Sequence, residues 1–369
     1  MKIMHLSDLH LGKNIFEHSL IEDQKYILEQ ILEIARKNNV KAVLMAGDIY
    51  DKTVPNLEAV NLLNDFLTKL QKENLNVFII SGNHDSKERL SFGNKILENN
   101  QIFIHTNYDG ILKLVKLEDV NIYMLPFIKP AYVRSYFGED LSYNDAVKKV
   151  IENENINTNE KNIILVHQFV TSSSSEVIKS DSESISLGGI DNVDIENFKD
   201  FNYVAMGHIH RPQRLTRDTA RYAGSILKYS FSEANYNKSV PIIDTDTFAV
   251  TLEPLTPLRD MVILEGTLEQ LLKDSSDDYV NVILTDEDEL IDPINELRKK
   301  YPNVLKLDFK NKRSYFNEDS KSSASGDVKN RTPLDLFEEF YLNQNNVSLN
   351  DELREIFINA LKEVNDETN

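Results

Sequence analysis

Cysteine is absent from the 369 residues, which excludes a disulfide framework and thiolate metal sites and fits a reducing compartment. No apolar run approaches the roughly 18 to 20 residues that a membrane helix needs. The chain therefore reads as soluble with no membrane partner, and its 41% hydrophobic content allows a sizeable core. The first residues hold no apolar leader segment, and the cytoplasm is the expected address. Positive charge is scarce as well: 41 Lys and Arg against 60 Asp and Glu leave a net charge of -19. Nucleic acid is held largely by basic side chains that neutralise phosphates, so this chain does not grip it by global attraction. Action on phosphodiesters then requires bound cations that invert the local field, or a partner that brings the basic surface.

Short apolar runs of strand length recur at Lys2–Ser7, Lys41–Ala46, Asn76–Ser81, Val120–Phe127, Asn162–His167 and Tyr203–His208. Between the first two, Ser19-Leu20-Ile21-Glu22 has the pattern of a capping box. Ile27, Leu28, Ile31, Leu32 and Ala35 follow in helical register. Leu57 to Leu70 repeats that register. Strands alternating with helices predict an α/β class with parallel elements and helices on the sheet faces. After Pro254–Asp260 the texture changes to strand-like MVILEG, YVNVILT and VLKLDF with an amphipathic segment at Pro293–Lys300, a small α+β unit. Residues 311–333 have linker composition, and two helical patterns follow, with Leu334, Leu336, Phe337, Phe340 and Tyr341 in one and Leu353, Ile356 and Phe357 in the other. The expected divisions are 1–258, 259–310, 311–333 and 334–369. No internal repeat is visible.

Polar residues of one chemical kind gather where these strands end. Asp8 and His10 stand two apart after the first run, Asp48 follows the second, Asn83 and His84 the third, His167 the fifth, and His208 and His210 the sixth. An alternating i, i+2 pair on a strand sends both side chains to one side, and the carboxyl ends of strands in an open α/β sheet form the ligand crevice. One histidine at a strand end is an ordinary hydrogen-bonding residue; five of the eight, beside two Asp and one Asn, point to metal. Asp8, His10, Asp48, Asn83, His167, His208 and His210 exceed what one tetrahedral ion takes and suit two divalent ions, with Asp48 as the bridge. Oxygen and imidazole donors without thiolate allow Mn, Fe or Zn and suit Mg less.

The set DLH, GDIYD (Gly47–Asp51), GNHD (Gly82–Asp85), a single His after a strand, and GHIH (Gly207–His210) resembles the calcineurin-like metallophosphoesterase superfamily over about residues 1–230. Within it, HLSDLHLGK, GNHDSKERLSFG, SDSE (Ser180–Glu183), YAGSILKYSFSEA (Tyr222–Ala234) and PLRDMVILEG are similar to the SbcD family over nearly the whole chain. The resemblance implies a two-sheet α/β phosphoesterase domain at 1–258, a small α+β cap that contacts DNA at 259–310, and C-terminal helices that dock on an ATPase. It implies one ion on Asp8, His10 and His210 and a second on Asn83, His167 and His208, with Asp48 between them and Mn favoured. His84 is then the candidate general acid or electrostatic stabiliser of the leaving oxygen, and Asp51 its orienting partner. The implied activity is a metal-dependent DNA nuclease, a 3′-5′ exonuclease on duplex ends and an endonuclease on single strands or hairpins, serving DNA repair, recombination and replication. Its implied partners are an SbcC-type coiled-coil ATPase and DNA, in a homodimer within a heterotetramer. The alternatives are a phosphoesterase for small phosphodiesters or phosphomonoesters, and a scaffold with a vestigial site.

Thr171–Ser184 is serine-rich and reads equally as a substrate loop or a surface loop. His5, His18 and His105 lie off the pattern and are read as ordinary. Arg211, beside His210, reads equally as a phosphate contact or a solvated side chain.

Overall fold

Apolar runs with no polar alternation become strands buried on both faces. In the computed structural model, which describes residues 1–138, 140–173, 177–183, 191–288, 290–310, 332–345, 349–350 and 353–358, β1 (Lys2–Leu6), β2 (Val40–Ala46), β3 (Asn76–Ile80) and β4 (Ile102–His105) pair in parallel, side by side. The crossovers are α1 (Ile21–Asn38), α2 (Leu57–Lys72) and the short α3 (Lys87–Leu90) and α4 (Asn94–Glu98). A second sheet follows from β5 (Lys113–Leu117), β6 (Val120–Leu125), β7 (Lys161–Val166), β8 (Tyr203–Met206), β9 (Gln213–Leu215) and β10 (Arg217–Tyr222), in the order β9-β10-β8-β7-β6-β5. Between β6 and β7 lie α5 (Pro130–Phe137) and α6 (Tyr143–Glu152). The chain then returns to the first sheet with β11 (Ser239–Asp244) and β12 (Val250–Pro254), β11 lying antiparallel beside β1.

The period of two along each strand decides which side chains fill which layer. Ala42 and Leu44 of β2 face inward and join Ile3, Phe78 and Ile80 against Ile122, Met124, Ile163, Leu165 and Ala205 of the second sheet. Leu125, Ile164, Val166 and Val204 face the other way, under Val147 and Val150 of α6. Ile27, Leu28, Ile31 and Leu32 bury the apolar stripe of α1, which packs on α2 and β2; each such side chain contributes about 1.5–3 kcal/mol. The capping box at Ser19 does not form. Ser19 is drawn into a two-residue hairpin with Asn14, Leu20 takes the cap position, and the Ser19 hydroxyl accepts only the Ile21 N–H at 3.4 Å. Asn56 does cap α2, accepting from Ala59 N–H at 2.8 Å.

The chain divides into two compact units, Met1–Met261 and Val262–Asn369. In the second, β13 (Met261–Gly266), α7 (Leu268–Leu271), β14 (Tyr279–Leu284), α8 (Pro293–Arg298) and β15 (Val304–Phe309) build a three-stranded sheet ordered β13-β14-β15. Val280, Val282, Leu284, Leu297, Tyr301 and Val304 form its core. The expected linker falls outside the described residues except for Thr332 and Pro333. Beyond it, in α9 (Pro333–Asn345), Phe337 stacks on Phe357 with ring centroids 3.8 Å apart, and Glu338 accepts from Arg354. Phe340 and Ile356 stay exposed. Among the described residues no helix is long and apolar enough to cross a membrane.

Candidate metal centre

The polar residues singled out in the sequence lie just beyond the carboxyl ends of β1, β2, β3, β7 and β8, in loops and not on the strands. Asp8, His10, Asp48 and His208 have φ of 50°, 44°, 49° and 97°, so the pairs at Asp8/His10 and His208/His210 are not aimed by strand alternation. Left-handed turns aim them, a conformation in which Asp and His are enriched and which costs of order 1–3 kcal/mol per residue. Main-chain bonds hold the turns: Asp8 N–H to Gly47 O at 3.1 Å, His10 N–H to Asp48 O at 3.0 Å and Leu11 N–H to Ile49 O at 2.9 Å. Gly207 lets the loops close together, because a Cβ there would lie 1.9 Å from Ala46 O and 2.7 Å from His167 Nδ1.

All seven donors meet. His10 Nε2 faces His210 Nε2 at 3.1 Å. Asn83 Oδ1 lies 3.1 Å from His167 Nε2 and 3.0 Å from His208 Nδ1. Asp48 Oδ2 stands between the groups, 3.6 Å from His10 Nε2 and 3.3 Å from His167 Nε2, while Oδ1 accepts the His84 N–H at 2.9 Å. Asp8 belongs to both sides, its carboxylate within 4.8 Å of the donor atoms of His10 and His210, and of those of Asp48 and His167. It also accepts the His208 N–H at 2.9 Å.

This donor set fits divalent cations. Adjacent ligands of an octahedral ion with bonds of about 2.1 Å lie √2 times farther apart, about 3.0 Å, which is the spacing at Asn83 and between the two Nε2 atoms. His167 Nδ1 donates to Ala46 O at 2.7 Å, so neutral His167 turns a lone pair toward the lone pairs of Asn83 and Asp48. Positive charge relieves that repulsion. Without an ion, a proton on His167 serves: burial alone would lower this imidazole, yet the Asp48 carboxylate raises it to about 9. Burial likewise opposes charge on Asp48, but His167 holds it well below the usual carboxylate range. Burial pushes His208 down to about 3, His10 well below its ordinary value, and Asp8 up to about 7.

The pairing expected between His84 and the Asp51 side chain takes another form. His84 Nδ1 donates to the Asp51 main-chain oxygen at 2.9 Å. The carboxylate instead accepts from Lys13 at 2.7 Å and lies 3.6 Å from His10 Nδ1, a buried nitrogen with no hydrogen-bond partner. Carboxylates behind a ligating imidazole fix its orientation.

The chain matches the calcineurin-like phosphoesterase family over residues 1–212 and the family described as type 5 capsule protein repressor C-terminal domain over 257–345. It is 33% identical over 357 residues, 93% of each chain, to a Staphylococcus epidermidis protein, the D subunit of the nuclease SbcCD. The chain belongs to the SbcD family. Two solved structures align with this SbcD-family chain. TT1561 of Thermus thermophilus has a TM-score of 0.41 and 10% identity, covering 69% of this chain and 99% of that one. A dimetal phosphatase from Danio rerio has a TM-score of 0.40 and 11% identity, covering 66% and 91%.

Sequence reasoning left several supporting residues of this SbcD-family centre without a role. Asp85 is buried, pushed up to about 6 by burial, and accepts N–H groups of Gly82, Ile49 and Tyr50 at 2.9–3.1 Å, locking the loops after β2 and β3 together. Its place in GNHD is the one available signal. Gln24 donates to His10 O at 2.7 Å, and Tyr229 packs edge-on against His10 and His210. Behind His210 stand Ser182, Glu183, Glu233 and Lys238. His5 makes an ordinary bond, 3.0 Å to the Tyr203 hydroxyl, and Arg211 stacks over Tyr236.

Proposed function

We propose that this chain is the nuclease component of an SbcCD-type complex, a two-metal phosphodiesterase that cuts DNA at duplex ends in the 3′-5′ direction and within single strands or hairpins. The observation that carries the reading is the convergence of seven donors on the two sides of Asp48 Oδ2 in a chain 33% identical to the D subunit of an SbcCD nuclease. Asp8, His10 and His210 would hold one ion, Asn83, His167 and His208 the other, and Asp48 both, with Mn the preferred metal. Such ions supply Lewis-acid stabilisation of the charge that develops on a phosphodiester under attack. The anchored Nδ1 of His84 leaves Nε2 to protonate or stabilise the leaving oxygen.

The net charge of -19 assigns most of the electrostatic grip on DNA to the ions and to an SbcC-type ATPase. Residues 334–369 are the proposed docking segment, with Phe340 and Ile356 of its described part exposed. A homodimer is the proposed assembly, for which Leu57 at the start of α2, Phe92 between α3 and α4, and Ile96 of α4, 73%, 87% and 70% exposed, offer apolar surface. The test is Mn-dependent cleavage of end-labelled duplex and hairpin DNA, with and without the ATPase, by the full chain and by a chain lacking 333–369. Cutting by the full complex, and lost complex formation with retained phosphodiesterase activity in the shortened chain, are expected. Hydrolysis of a small phosphodiester with no DNA cleavage under either condition would overturn the nuclease reading.

A further inference from the structure

We infer that Ser182 is a positioning residue for the metal centre, its hydroxyl locking His210 in the tautomer that turns the Nε2 lone pair toward the ions. The inference rests on the metal-binding reading above and follows from counting protons. The Lys238 ammonium spends its three donors on Glu233 Oε2 at 2.6 Å, Ser225 Oγ at 2.7 Å and His210 O at 2.7 Å. Glu233, paired with that ammonium and fully buried, is an acceptor only. Ser182 Oγ lies 2.6 Å from Glu233 Oε1 and 2.9 Å from Ser180 Oγ, and its one hydroxyl hydrogen goes to the carboxylate, the nearer and charged acceptor. Toward His210 Nδ1, also 2.6 Å away, Ser182 has only lone pairs to offer. Nδ1 therefore carries the ring proton and Nε2 is bare, 3.1 Å from His10 Nε2. The opposite tautomer would set two lone pairs against each other at 2.6 Å and aim an N–H at the position of a cation.

Ser182 can do this because its segment is tied down on both sides. Ile178 exchanges two bonds with Gln213, of 3.1 and 2.8 Å. Asp181 N–H donates to Ser232 Oγ at 3.0 Å, and Glu183 Oε1 accepts the His210 N–H at 2.6 Å. The later part of the serine-rich stretch is thus a strap across the back of one ligand. Conserved hydrogen-bond partners of ligating histidines elsewhere are worth about 10- to 100-fold in metal affinity.

Histidine-selective ¹⁵N NMR of the metal-free full chain, with His210 assigned by its loss in His210→Gln, should show the proton on Nδ1. In Ser182→Ala the signal should move toward the Nε2–H form. Calorimetric titration with Mn should show one of two ions weakened about 10- to 100-fold in Ser182→Ala, the other unchanged, and affinity restored in Ser182→Thr, which keeps the hydroxyl. A proton on Nε2 in the parent chain, or parental Mn affinity for both ions in Ser182→Ala, would overturn the proposal. If the parent chain bound no Mn, the metal reading itself would fall, and the tautomer measurement would still decide the role of Ser182.

Discussion

Replacing Lys238 with methionine strands a charge in the interior. The Lys238 side chain is 4% exposed and that of Glu233 fully buried, with Nζ to Oε2 at 2.6 Å. Burial opposes the charge of each partner, and each partner's charge sustains the other's. Methionine reproduces the length of the lysine stem, so little volume is lost and the deficit is electrostatic. Removing one partner of a buried pair costs about 3–5 kcal/mol, which at about 2–4 °C per kcal/mol for a unit of this size lowers the melting temperature on the order of 10 °C. Lys238→Met/Glu233→Gln removes the stranded charge too and should regain most of the loss. Urea unfolding of the parent, both single variants and the double variant, followed by circular dichroism, gives the cycle. A cost below about 1 kcal/mol for Lys238→Met, or a double variant as unstable as the sum of the singles, would refute the reasoning.

Asp48→Ala should lower occupancy of both ions in a Mn titration, since Oδ2 faces both groups, whereas His10→Ala should weaken mainly one; one ion per chain in the parent protein would sink the two-ion arrangement. His84→Gln should keep Mn binding and lose cleavage by roughly 10²- to 10⁴-fold, while Asp51→Asn, which leaves the main-chain acceptor of His84 in place, should cost far less and act through His10. His5 gives an acid limb to stability. Burial lowers it to about 3 from an ordinary 6.5, so below 6.5 the unfolded chain takes a proton that the folded chain refuses. Stability present above that pH is lost as pH falls toward 3, about 2 kcal/mol of it by about pH 5. His5→Gln should flatten denaturant midpoints between about pH 7 and 5, and an unchanged slope would refute the assignment.

Local pattern was enough for the strands and for the kind of chemistry. Runs such as Lys41–Ala46 are apolar at nearly every position because both sheet faces are covered, and that signal survives without any contact map. Few residue types ligate metals, so DLH, GDIYD, GNHD and GHIH were legible as donors. How the donors are aimed was not. The left-handed turns at Asp8, His10 and His208 arise from hydrogen bonds between loops of different strands, which leave no period in the sequence. The Ser19 capping pattern failed for a different reason: a competing local hairpin claimed the residue. Asp51 turned out to serve His84 through its main chain, a distinction that side-chain identity does not carry. The relay behind His210 joins Ser182, Glu233 and Lys238, residues 28 to 51 positions from their partners His210 and Ser182. Only tertiary structure could decide it, because a hydroxyl finds its acceptor by proximity in space and not by spacing along the chain.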